Sequence, residues 1–163
     1  MLWSGNADSP VESKGEAMST RELQAQLVTS LREWQKLENA QITLIGDMLG
    51  ETHNPAVAMI LEIIQRDSQM HHRVQQLIID SLESEVVGLT TADVELIRRS
   101  LHVHLDMEMQ TVKLAEQNLA AMAGRRLDLQ ELFMEFLRRD EEKHRDMLLA
   151  LERFLEPGDD QTT

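Results

Sequence analysis

Residues 138–151 read RRDEEKHRDMLLAL, and the apolar residues around this stretch follow one rule. Leu129, Phe133, Phe136, Leu137, Met147, Leu148 and Leu151 recur at steps of three and four, as the buried face of an amphipathic helix must. The spacing predicts a helix over 128–155. Asp128 with Glu131 offers a capping box at its start, and Pro157 stands just beyond its end. Inside the stripe, where a hydrophobic residue is due, the chain places Asp140 or Glu141 and then His144.

Three further segments have the same character. Ser19 with Glu22 opens a helix over 20–49 with Gly50 at its end, and its stripe is Leu27, Leu31, Trp34, Leu37, Ile45 and Met48. Asn54 followed by Pro55 opens a helix over 55–82, with Ile60, Ile63, Ile64, Val74, Leu77 and Ile78. A third runs over 91–123 after Thr90 or Thr91, with Val94, Ile97, Leu101, Val112, Ala115 and Leu119. Four helices of similar length with short links predict an all-α, antiparallel four-helix bundle over 19–156. Residues 1–18 and 157–163 lack apolar periodicity and read as disordered tails. The link at 83–90 is short for a traverse of the bundle, which favours an up-down-up-down order.

Composition narrows the function classes. The 163 residues hold no Cys and no Tyr, 10 Met, and 29 acidic against 16 basic side chains, a net charge of −13. Without Cys there is no disulfide, thiolate metal site or cysteine nucleophile. The acidic balance disfavours nucleic acid, which calls for a basic face. No apolar run approaches the ~18 residues of a transmembrane helix and no signal-peptide pattern opens the chain, so the expectation is a cytoplasmic protein without a membrane partner.

Every stripe is interrupted near its midpoint. The interruptions are Glu38 and Gln41 in the first helix, Asp67 and His71 in the second, His104 and Glu108 in the third, and Asp140 or Glu141 with His144 in the fourth. At 1.5 Å per residue they fall at a common height, roughly 17 to 24 Å along their helices. An unpaired buried carboxylate is strongly disfavoured, so such groups must satisfy one another or hold something. The chain also repeats itself. Arg66–His71 matches Arg139–His144 at a shift of 73, and Leu31, Trp34 and Glu38 fall on Leu101, His104 and Glu108 at a shift of 70. Two helical hairpins thus share one plan, a carboxylate on the first helix and a carboxyl/His pair on the second.

On these residues the chain resembles the ferritin-like superfamily, and rubrerythrins in particular. Those bundles hold two irons with one Glu from each of two helices and Glu-x-x-His from each of the other two. Glu141-Glu142-Lys143-His144 is that motif, Glu38 and Glu108 match the single-Glu positions, and His71 matches the second-helix histidine. Ser68 stands where the second-helix Glu belongs, with Asp67 as its substitute on the same face. His104, one turn before Glu108, offers a further nitrogen as ligand or as a hydrogen-bonding neighbour of one. The resemblance implies a metal set of Glu38, Asp67, His71, His104, Glu108, Glu141 and His144. It also implies two iron ions (manganese or zinc as alternatives) and peroxidase- or ferroxidase-type oxidoreductase chemistry with peroxide, dioxygen or Fe(II). Without the four Cys of a rubredoxin module, electrons would come from a separate donor.

Two other readings stay open. One is a degenerate bundle without metal, its polar pairs a core network and its function structural or in protein interaction. The other is a single ion on Glu108, Glu141 and His144. His72, His102 and Glu142 point off the stripes and read as surface. Met70, Met107 and Met109 read as core or rim, and Trp34 as packing beside the site. Leu44, Leu61, Ile79 and Leu105 flank the stripes and suggest a homodimer or higher homo-oligomer.

Overall fold

The structure, a computed structural model, describes residues 18–84, 88 and 90–155. They form four helices: α1 (Thr20–Glu51), α2 (Pro55–Glu83), α3 (Thr91–Met122) and α4 (Asp128–Leu155). Residues 1–17 and 156–163, nearly all of them in the expected tails, and half of the link at 83–90 lie outside the described residues. No described helix is long and apolar enough to cross a membrane.

Local chemistry sets the helix starts. In α1 the Glu22 N–H donates to Ser19 Oγ (3.3 Å) while the Ser19 N–H donates to Glu22 Oε2 (2.9 Å), closing the expected box. Thr90 and Asp93 make the same reciprocal pair at α3, with bonds of 3.2 and 2.9 Å. The Ser19 and Thr90 hydroxyls also donate to these carboxylates (2.7 and 2.6 Å), and these bonds first, with the backbone N–H bonds second, hold the Glu22 and Asp93 carboxyls below their ordinary ranges. Asn54 Oδ1 accepts from the Ala56 and Val57 N–H groups, and Pro55 follows at the first helical position.

Two helix ends differ from expectation. Gly50 does not stop α1, because the Thr52 N–H still donates to the Met48 carbonyl (3.0 Å) and the helix runs to Glu51. Asp128 is itself helical: the Glu131 N–H donates to the Leu127 carbonyl (2.8 Å), so the Asp128–Glu131 box does not form. Past α3, Gly124 takes φ +73°, a left-handed conformation suited to a residue without Cβ.

The chain divides into two compact units, Met1–Val86 and Val87–Thr163. The first contains the hairpin α1–α2, the second the hairpin α3–α4. Cross-helix pairs show each hairpin to be antiparallel. In the first, Arg32 pairs with Glu83 and Gln41 with Ser68; in the second, Arg98 reaches Leu155 and Thr111 reaches Glu141.

Each hairpin closes on a seam whose members alternate steps of three and four, the spacing of a coiled-coil contact row. Buried or half-buried along α1 are Val28, Leu31, Gln35, Glu38, Ile42, Ile45 and Leu49. Along α2 they are Leu61, Gln65, Ser68, His72, Gln75, Ile79 and Leu82. Adding 70 to the α1 row from Leu31 onward gives Leu101, Leu105, Glu108, Val112, Ala115 and Leu119. Adding 73 to the α2 row gives Met134, Arg138, Glu141, Arg145, Leu148, Glu152 and Leu155, again all buried or half-buried. The repeat therefore holds in three dimensions along both seams.

This row is not the stripe the hydrophobic pattern suggests, either in the first hairpin or along α4, where Leu129, Leu137 and Met147 are exposed. Leu27, Trp34, Leu37, Met48, Ile64, Val74, Leu77 and Ile78 are exposed, whereas Leu61 and Ile79, expected beside the stripe, are core. Leu105 moves inside in the same way. His72, expected at the surface, lies half-buried on the seam, where its carbonyl accepts from Gln35 Nε2 (3.3 Å). The reason is geometric. Two paired helices touch along one narrow row, while an apolar stripe of more than about 100° contains more than one row.

Candidate metal centre

At equivalent heights, α1 and α3 each turn a glutamate into the seam. Glu38 is the more deeply set, its side chain 4% exposed; Oε1 lies 3.3 Å from His71 Nδ1, and Oε2 is buried without a hydrogen-bond partner. Glu108 repeats the arrangement, with Oε2 buried, lacking a hydrogen bond, and 3.9 Å from His144 Nδ1. A buried carboxylate oxygen with no donor is costly, so the groups around each glutamate decide what could offset it.

The two surroundings differ. Opposite Glu108, Glu141 lies one helical turn before His144 on the same face of α4, with Glu141 Oε2 3.7 Å from His144 Nδ1. Glu108, Glu141 and His144 each offer one ligand atom, and these lie within 4.8 Å of one another. Glu108 holds its proton above the ordinary Glu range, first because it shares a hydrogen bond with Glu141, then through burial and the Glu141 charge. His144 and His104 act in the opposite sense. Thr111 Oγ1 lies 3.3 Å from Glu141 Oε2 across the seam, while its shortest bond goes to the Glu108 carbonyl on its own helix (2.9 Å). The His144 Nε2 side faces Asp140 at 3.6 Å, and Asp140 is also paired with Lys143.

In the first hairpin, Ser68 occupies the place of Glu141. It is buried, and its Oγ donates to Gln41 Oε1 (3.0 Å). Asp67 is exposed, and His71 turns to Glu38 instead of pairing with it. Asp67 therefore does not take the place of the missing carboxylate.

Of the seven residues expected as ligands, the structure gathers Glu108, Glu141 and His144 into one cluster and Glu38 with His71 into a pair. His104 is exposed and, with Glu108 and His144, forms the polar side of a groove of about 700 Å³ whose apolar wall includes Met147, Leu151 and Phe154. Nearby charges are engaged elsewhere. Arg138 bonds Glu135 and Glu142 on its own helix, and with Arg139 it draws the Glu135 carboxyl down to about 2. Gln41, read only as an interruption, and Thr111, not singled out at all, prove to be the cross-seam partners of the ligand position. Their signal is the repeat itself, since a shift of 70 carries one onto the other.

Two carboxylates and one imidazole suit iron, manganese or zinc. The set fits such an ion by its donors and by the unpartnered Glu108 Oε2. His144, 42% exposed, leaves an entry path from the groove. No protein-family model, curated protein or solved structure matches the chain.

Proposed function

We propose that the protein is a non-haem metal–carboxylate protein of ferritin-like, rubrerythrin-like type, with its metal centre in the bundle core. The observation that carries this reading is the Glu108–Glu141–His144 cluster, a donor set drawn from two helices with a buried carboxylate oxygen left free. Glu108 and Glu141 would be the anionic ligands. His144 would bind as the neutral imidazole, oriented by Asp140 on its other nitrogen. Bound iron would supply one-electron chemistry toward peroxide, dioxygen or Fe(II); manganese or zinc fit the same donors. Without a thiolate in the chain, the redox partner would be a separate donor.

Anaerobic Fe(II) loading followed by metal analysis of the desalted protein tests the proposal. Wild type is expected to retain iron stoichiometrically and His144→Ala to lose it, with affinity falling by more than about 100-fold, since even residues behind the ligands cost 10–100-fold. Retention well under one ion per chain in wild type would favour the metal-free bundle, whose polar seam then serves register alone.

A further inference from the structure

We infer that metal binding is confined to the second hairpin, and that a paired exchange of side chains across the seam silences the first. The inference rests on the metal reading above and deepens it, setting the ion count at one per chain.

The exchange emerges when the repeat is laid along both seams. At the crossing beside the ligand position, the second hairpin has Thr111 on α3 and Glu141 on α4, with the hydroxyl oxygen 3.3 Å from the carboxylate Oε2. The first has Gln41 on α1 and Ser68 on α2, the hydroxyl donating to the amide oxygen (3.0 Å). In both hairpins a short hydroxyl meets a long side chain ending in an sp² oxygen. The long member has changed helices and lost its charge. A bare loss of Glu at position 68 would leave a void at the seam, and close-packed interiors do not tolerate voids. Gln41 supplies the volume from the other side. Position 68 therefore belongs to a repacked seam, closed by a neutral bond where its counterpart carries an anion.

The consequence for a divalent cation is large. The second hairpin presents two carboxylates and an imidazole; the first presents Glu38, His71 and an amide oxygen already engaged by Ser68. With one carboxylate the ion keeps a net positive charge at a seam where Glu38 is almost fully buried, a poor exchange for its hydration shell. The exposed Asp67 does not make up the difference.

Co(II) titration of the full-length chain, followed by calorimetry and by ligand-field absorption, decides the matter. Wild type is expected to bind one Co(II). Gln41→Thr/Ser68→Glu gives the first hairpin the second hairpin's pattern and is expected to bind two, with the absorption per chain doubling. Thr111→Gln/Glu141→Ser is expected to bind none while keeping its helical circular dichroism. His71→Ala covers the case in which the gain-of-site variant does not fold: it should leave one Co(II) bound with affinity within about two-fold of wild type, as for a residue that is no ligand. Two ions in wild type, loss of the ion in His71→Ala, or a folded Gln41→Thr/Ser68→Glu that still binds one would each overturn the inference while leaving the metal reading intact. Zero Co(II) in wild type would overturn both.

Discussion

The two hairpins share a seam register and fill it with opposite chemistry. Apart from Glu38 and His72, the polar members of the α1–α2 seam are neutral: Gln35 and Gln65 donate across it to the carbonyls of His72 and Ile42, and Ser68 donates to Gln41. In α3–α4 the α3 side is apolar apart from Glu108, with Leu101, Leu105, Val112 and Ala115, while α4 contributes Arg138, Glu141, Arg145 and Glu152. The register survives this replacement because it depends on step length and not on the side chains that occupy each step. Fold and chemistry are thus separable in this chain. The heptad row keeps the helices paired, and the identities at a few seam positions determine whether a hairpin offers a cation site.

If the first hairpin is held mainly by packing and the second tolerates charge, equivalent positions should differ in energetic weight. Ile79 and Glu152 are such a pair at a shift of 73. Ile79 is 1% exposed, whereas Glu152 is half-buried with His102 3.9 Å away. Ile79→Ala should cost about 2–5 kcal/mol through lost burial and the cavity left behind. Glu152→Ala should stay within about 0.5 kcal/mol, as surface substitutions do. Urea unfolding of both variants checks this, and equal losses would break the comparison.

A second pair sharpens it in the opposite direction. Gln75 is buried in the first seam, and neither its Oε1 nor its Nε2 finds a hydrogen bond; its counterpart is Leu148. An unsatisfied buried polar group costs about 1–3 kcal/mol, and Leu has nearly the same shape. Gln75→Leu should therefore raise stability by about that amount. A lower midpoint in denaturant would mean that the amide has a role the seam does not reveal.

The caps at Ser19 and Asn54 and the extents of the helices were legible in the sequence because they depend on residues within a turn of one another. The 70- and 73-residue shifts were legible as well, since a repeat needs no structure to be seen. The seam of the first hairpin and the α4 side of the second were not. Leu37 and Leu77 are as hydrophobic as Leu61, and the period alone does not choose which row of a broad stripe meets the partner helix. The meaning of Ser68 was hidden for a related reason. As a letter it is a missing Glu, and its compensating Gln41 stands 27 residues away, visible only once the two helices are paired. His71 and Glu38 were found by type and height, but the absence of a second carboxylate beside them required the exposure of Asp67.

The smallest effect to separate the hairpins is a dependence on pH. The pair of carboxyls sharing a hydrogen bond, Glu108 with Glu141, belongs to the second hairpin, because Ser68 replaces its equivalent in the first. Glu108 keeps its proton to a higher pH when folded than when unfolded, so in that window the native chain binds more protons than the unfolded one. The stability gained from that proton is fully present below the ordinary Glu range. It is lost as pH rises through the raised native value, as the two carboxylates come to repel one another. Glu108→Gln has no proton to lose, so the metal-free variant should be less destabilised than wild type by the same rise in pH. The difference between the two unfolding curves, taken over a pH series, isolates this contribution from every other titrating group. Curves that stay parallel would remove the raised native value of Glu108 and, with it, this difference between the hairpins.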